Sequence, residues 1–397
     1  MQAILSLGNL YVSGFVESPE ETERCVQAPL DLVLCLQCYL LQLRHTVNPG
    51  LLYRQYWYLS MVNSTMRAAL ADITQSAEQL TGVRAGDVVL DIGANDGTLL
   101  RSYRTPGLQL MGYEPAKNLV TAARVGTTMV FNDLFQAEPF LQASSTLATI
   151  ITSIAMFYDL EDPNRFVQDI ARCLAPDGLW IIQMAYLPAM LSQNAFDNIC
   201  HEHLEYYSLA ALTPLMQRHG FKVVDVQLND VNGGSIRIYV APVACTRYDG
   251  EGRDRVRTLE QQERALQLER VETYQAFAGC VQGLRETTRR FVQEVVARGQ
   301  RVYAYGASTK GNTLLQYYGL DHTLVQAAAE RSQDKWGKQT AGTWIPIVSE
   351  QQMRQERPDY LLILPWHFLP EFLERERAYL AAGGRFIVPL PQFRVLP

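Results

Sequence analysis

The sequence predicts an α/β protein in which two doubly wound, Rossmann-like domains follow a small N-terminal lobe. Two glycine-rich loops, near Gly93 and near Gly306, each follow an apolar strand-like run and open a helical pattern, the start of a parallel βαβ sheet. Between them, residues 197–208 (DNICHEHLEYYS) concentrate His201, His203, Glu202, Glu205, Cys200, Tyr206 and Tyr207 within twelve positions. That density of proton-handling groups points to chemistry, because an imidazole beside an orienting carboxylate is a ready general base. The chain has 397 residues, enough for two or three domains with full cores. At 48% hydrophobic and 19% charged it reads as globular rather than disordered.

Composition also excludes partners. A net charge of −6 with no basic stripe weighs against nucleic acid. No apolar run reaches the length of a membrane span, and the N-terminus lacks the basic start and apolar core of a signal peptide. Seven scattered cysteines, an odd number, form no disulfide framework, so the cytoplasm is the expected location and a monomer is compatible with the sequence.

The predicted lobe covers 1–48. LSLGNLYVSGFV reads as short strands, and Cys35-x-x-Cys38 falls on a hairpin. One CxxC is half of a tetrahedral zinc site; Cys25 and His45 are the nearby candidates for the rest, and the alternative is a pair of small buried hydrophobes. The central domain, 49–245, opens with Tyr53, Tyr56, Trp57 and Tyr58 leading into an amphipathic helix, aromatics that pack an interface or cover a ligand. VRAGDVVLDIGANDGTLL is then a buried strand ending at Asp91, the loop Gly93-Ala94-Asn95-Asp96-Gly97 and a helix start, and LQLMGYEP brings Glu114 to the end of the second strand. A dinucleotide fingerprint needs G-x-G-x-x-G, which this loop breaks at two of three places; D-x-G-x-x-x-G instead matches S-adenosylmethionine (SAM) methyltransferases. Asn132 and Asp133 follow the third strand, where such folds bind the adenine amino group. Fourth and fifth strands flank an acidic turn, and two more enclose Asn232-Gly233-Gly234-Ser235, a hairpin closure or an acceptor loop.

The last region, 246–397, begins with one or two charged helices over 254–299 and returns to α/β. Gly306-Ala307-Ser308-Thr309-Lys310-Gly311-Asn312 nearly spells a P-loop, but Asn312 occupies the position of the phosphate-binding lysine. A helix N-terminus with Ser308 and Lys310 nonetheless suits a diphosphate. A SAM fold, a base and a phosphate-ready loop together suggest methylation of a nucleotide-linked acceptor at carbon, since carbon alone demands proton removal next to a carbonyl. The HEH stretch also admits a metal or a plain polar loop, although Glu205 stands where HExxH needs its second histidine.

On LSLGNLYVSGF, YWYLS, DIGANDG, GYEP, DNICHEHLEYYS, NGGSIRIYVA, YGASTKGN, IPIVSE and LPWHF, the chain resembles the sugar C-methyltransferases that act beside the 4-keto group of a nucleotide-activated, usually dTDP-linked, deoxysugar. The resemblance spans essentially the whole chain and implies an N-terminal zinc lobe, a central SAM domain and a C-terminal domain that helps hold the nucleotide sugar. It implies His203 as base, Glu202 and His201 assisting, Tyr58 over SAM, and Lys310 to Asn312 near the diphosphate. Relatives carry a further CxxC upstream of the leucine-glycine segment, whereas this chain begins at Met1 after that point with half the zinc ligands. Tyr39 replaces a glycine; some relatives have Tyr in place of Cys200 and His near Phe157 or Tyr158. Oxygen or nitrogen methylation, or sugar-nucleotide binding without turnover, are the competing readings.

Overall fold

The computed structural model describes all residues except 19–25, 54, 55, 57, 63 and 251, so Cys25 and Trp57 lie outside the described residues. The central sheet has seven strands in the order Phe221–Asn229, Ser235–Pro242, Leu174–Ala185, Ala148–Ile154, Val88–Ile92, Gln109–Tyr113 and Met129–Phe131. Ser235–Pro242 is antiparallel to both neighbours; the other four pairings of the sheet are parallel. Val88–Ile92 is buried along its whole length, which is why VVLDI is an unbroken apolar run apart from Asp91.

From Val88–Ile92 the chain first builds outward through Gln109–Tyr113 and Met129–Phe131, then crosses to Ala148–Ile154 on the other side. A crevice must open where the winding reverses, at the carboxyl ends of those two central strands. The loop that follows Ile92 needs left-handed backbone at Gly93 (φ 79°), Asn95 (φ 51°) and Gly97 (φ 78°). At Gly97 a Cβ would stand 2.7 Å from the Arg101 guanidinium and 2.8 Å from the Ala123 carbonyl, so the glycine is required twice over.

The lobe is a four-stranded antiparallel sheet of Gln2–Tyr11, Gln27–Leu34, Leu41–Leu43 and Glu205–Tyr206. Its last strand is supplied by the end of the HEH stretch itself, Glu205–Tyr206. The predicted CxxC hairpin is the turn from Leu34 to Leu41, closed by Tyr39 N–H donating to the Cys35 carbonyl at 2.9 Å. The charged connector forms two helices, Gly252–Ala265 and Val271–Ala297. The C-terminal sheet runs Ile347–Ser349, Ala327–Glu330, Val302–Tyr305, Tyr360–Ile363, Arg385–Val388 and Arg394–Leu396, with the last strand antiparallel. Its own winding reverses between Val302–Tyr305 and Tyr360–Ile363, where Gly306 packs against Pro365 with no room for a Cβ.

One apolar core joins lobe, HEH region and C-terminal domain: Leu30, Leu34 and Leu41 share it with Phe196 and Ile199 and with Leu314, Leu364 and Trp366. The HEH region and the C-terminal domain are therefore held against each other by buried contacts. No described helix is long and apolar enough to cross a membrane.

Gly97→Ala combines a disfavoured backbone with overpacking and is expected to cost about 1–3 kcal/mol in a urea denaturation series. An unchanged midpoint would show that the loop tolerates a Cβ.

Candidate active site

The loop after Val88–Ile92 is fixed mainly by carboxylates. Thr152 Oγ1 donates to Asp91 Oδ1 at 2.6 Å across the two central strands. Glu114 accepts the Asn95 N–H on one oxygen and the Ala116 N–H on the other, each at 2.7 Å. Burial raises both carboxyls to about 7, against hydrogen bonds that pull the other way. Asn132 donates to the Glu114 and Pro115 carbonyls, while Asp133 stays at the surface and lines, with Tyr113, Phe131 and Leu134, a cavity of about 360 Å³. Asn95 and the buried Asp96 staple the aromatic segment onto the loop. The Asn95 side chain accepts the Ser60 N–H and donates to the Tyr58 carbonyl, both at 3.0 Å, and Asp96 accepts the Met61 N–H at 2.8 Å. Tyr58 is thereby tied through its carbonyl to the glycine loop, with its side chain 42% exposed.

From there a short path leads to the imidazole. Gly93 packs on Met156, in the loop after Ala148–Ile154. Two residues on, the Tyr158 ring lies 4.3 Å from the ring of His203, centre to centre. His203 Nδ1 is 2.8 Å from the Asn198 carbonyl oxygen. A carbonyl can only accept, so Nδ1 carries the proton and Nε2 keeps its lone pair. Burial first, then the Lys310 ammonium, lower the His203 pKa to about 3, which leaves a neutral ring at physiological pH. Burial raises Glu202 to about 7, opposed by the same lysine. The Cys200, Glu202 and His203 ligand atoms all lie within 4.8 Å of one another.

Lys310 comes from the other domain. Its ammonium donates to Asn198 Oδ1 at 2.5 Å, so one asparagine receives the base on its carbonyl and the lysine on its side chain. Next to it, Asp197 accepts the Trp366 indole N–H at 3.1 Å. Gly233, after the left-handed Asn232 (φ 54°), abuts the Trp366 ring with a Cβ position only 3.3 Å away. Ser308 caps the helix Thr309–Tyr318 by accepting the Gly311 N–H at 3.0 Å. His367, beside Trp366, is a further, half-buried imidazole whose pKa desolvation and then Lys310 lower, keeping it neutral.

A family model described as "Methyltransferase domain" matches residues 62–226, and one described as "C-methyltransferase C-terminal domain" matches 230–391. C-methyltransferase NovU of Streptomyces niveus is 35% identical over 370 residues, 93% of this chain and 87% of that protein. The chain belongs to the C-methyltransferase family. It is a SAM-dependent methyltransferase, and its central sheet has the Rossmann-like, doubly wound order. Among solved structures, magnesium protoporphyrin IX methyltransferase of Synechocystis PCC 6803 with bound SAH is 13% identical, covering 45% of this chain and 88% of that one at a TM-score of 0.37. Mitomycin 7-O-methyltransferase MmcR is 16% identical, covering 46% and 55% at 0.36.

In this C-methyltransferase several residues singled out in the sequence face elsewhere. His201 turns away from His203: its Nε2 lies 2.9 Å from the Ala28 carbonyl of the lobe. Asn312 is fully buried and donates to the Gly14 carbonyl at 2.7 Å, which ties the C-terminal domain to the lobe. Gly311 sits against Leu364 where a Cβ would be 2.9 Å from a methyl carbon. At Cys35 the Gln37 and Cys38 N–H groups aim at the sulfur and lower its pKa, a turn suited to one half of a zinc site. His45 pairs instead with Asp31 at 3.4 Å, and the described residues complete no four-ligand set around the two cysteines. Asn198 and His367, to which the sequence gives no role, both stand by Lys310; an asparagine acting largely through its carbonyl leaves no signal in residue type.

Because the folded C-methyltransferase raises Asp91 and Glu114 above the ordinary carboxyl range, it keeps protons there that the unfolded chain has already lost. The sign follows: the stability these groups contribute falls as pH rises from the unfolded carboxyl range toward about 7. Glu114→Gln, always neutral, should flatten the decline of unfolding free energy between about pH 5 and 8, measured by denaturant titration at each pH. An undiminished slope would place the titration elsewhere.

Proposed function

We propose that this protein transfers the methyl group of SAM to the carbon beside the 4-keto group of a nucleotide-activated, dTDP-type deoxysugar. The observation that carries the reading is the meeting of Lys310 and His203 on Asn198: a cation from the C-terminal domain and a neutral imidazole from the central one converge on one residue. When bound, SAM supplies an electrophilic methyl group on a sulfonium. Asp91, Gly93, Asn95, Asp96, Gly97, Glu114, Asn132 and Asp133 shape the crevice for it, with Glu114 at the ribose, Asp133 at the adenine and Tyr58 closing the mouth. The glycine backbone, the buried acid at the end of the second strand and the adjoining cavity support that fit.

At the acceptor, Asn232, Ser308, Lys310, Gly311 and Asn312 belong to the elements that would receive the sugar nucleotide, with Lys310 the one charged group directed at the cleft. The proton on the carbon next to the ketone goes to His203 Nε2 and the electron pair moves onto the ketone oxygen as an enolate. A neutral imidazole is required for that step, and the Asn198 carbonyl selects the tautomer that can perform it. Lys310 also sets the timing. Its charge disfavours protonation of His203 in the free enzyme, and an acceptor phosphate that pairs with the ammonium removes this opposition. Glu202 stands by as a second proton acceptor with a pKa near neutrality. Holding enolate carbon and methyl donor in line is worth on the order of 7–11 kcal/mol of the barrier.

Mass spectrometry of the purified protein with SAM and a panel of 4-ketosugar nucleotides is expected to reveal a product heavier by one methyl group. Without SAM, the acceptor should exchange its hydrogen with solvent deuterium. His203→Ala should lose about 10²–10⁴-fold in turnover and the exchange with it, while SAM affinity by titration calorimetry stays unchanged. Methyl transfer without exchange would indicate an oxygen or nitrogen acceptor, and near-normal turnover in His203→Ala would refute the base.

A further inference from the structure

Cys200, Glu202 and His203 are all buried and leave one tight turn, closed by the His203 N–H donating to the Cys200 carbonyl at 3.1 Å. The turn therefore presents a thiol, a carboxylate and an imidazole to one small space, with the ligand atoms within 4.8 Å of one another. Borderline-soft divalent ions accept this mixture, and three protein ligands with an open fourth position is a common catalytic zinc arrangement. A ligating imidazole characteristically has its second nitrogen fixed by a carbonyl or carboxylate; the Asn198 carbonyl does this at 2.8 Å and leaves the Nε2 lone pair free to ligate. Cys200 is a free thiol, so no disulfide competes.

We propose that Cys200, Glu202 and His203 form a site for a zinc-class divalent ion, and that an ion bound there occupies the Nε2 lone pair used for proton removal and so arrests methyl transfer. The inhibitory half rests on the base assignment above; the metal site does not. With metal–ligand lengths of about 2.0–2.3 Å, closing the cluster to a tetrahedral corner takes side-chain movements on the order of 1 Å. One metal–sulfur bond forms as the thiol proton leaves to solvent, and thiolate plus carboxylate balance the two charges of the ion. Lys310 is the adverse element, since its ammonium bears on both Glu202 and His203 while held on Asn198.

The test uses the full chain carrying Cys35→Ser and Cys38→Ser, so that the lobe's cysteine pair takes no metal. Titration with Co²⁺ should yield one equivalent with thiolate-to-cobalt charge-transfer absorption that Zn²⁺ bleaches. Adding Cys200→Ser should abolish the band, and adding Glu202→Gln, which keeps the thiol, should weaken Co²⁺ binding at least about tenfold. Zn²⁺ should suppress methyl transfer over the same concentration range, and a chelator should restore it. Absence of the band, its persistence in Cys200→Ser, or unchanged affinity in Glu202→Gln overturns the site. A band with undiminished methyl transfer upholds the site and overturns the base assignment of His203.

Discussion

The hydrogen bond from His203 Nδ1 to the Asn198 carbonyl is the constraint on which the rest of the cleft depends. Its acceptor is main chain, and it decides which ring nitrogen has a lone pair. The residue that provides it is itself anchored on several sides. Asn198 also accepts Lys310 and donates to the Ala195 carbonyl at 3.1 Å, while its neighbour Asp197 is held by Trp366. A displacement of the C-terminal domain would therefore be felt at the imidazole through two polar contacts. Burial amplifies both, because unpaired polar groups in a dry site are costly.

The apolar architecture enforces that geometry. The lobe, the segment around Phe196 and Ile199, and the C-terminal sheet share one core, so the turn carrying Cys200 to His203 is wedged between folded units. The two-residue strand Glu205–Tyr206 completes the lobe's sheet immediately after the base. Such an arrangement explains the unusual chemistry of the neighbouring groups. Burial raises Glu205 to about 9, so it is a neutral acid at physiological pH, and one of its oxygens has no partner among the described residues. The acids and phenols of this stretch thus divide into a cleft set around Cys200, Glu202 and His203 and a junction set around His201, Glu205 and Tyr206.

That division marks the limit of what the sequence discloses. Strand and loop signals are local, so VVLDIGANDG, the CxxC hairpin and the strand–loop–helix at Gly306 could be read from periodicity and glycine placement. The direction of a side chain is not local. Whether His201 meets His203 or the lobe is settled by a pairing with residues some 170 positions earlier, at Ala28. Asn312 goes to Gly14 for a similar reason, and the side chains of Asn95 and Asp96 hold the aromatic segment around Tyr58, contacts that no motif spacing encodes. His367 lies in LPWHF, a motif legible as a resemblance, yet its position beside Lys310 emerges only when the C-terminal crevice closes on Gly233.

The central claim is that the free enzyme presents a neutral imidazole with its lone pair on one particular nitrogen. Nitrogen NMR of protein labelled with ¹⁵N at its histidine rings, with His203 assigned by substitution, reads this directly at pH 7. The account predicts a neutral ring protonated at Nδ1 and bare at Nε2. An Nε2–H tautomer, or an imidazolium, would contradict it.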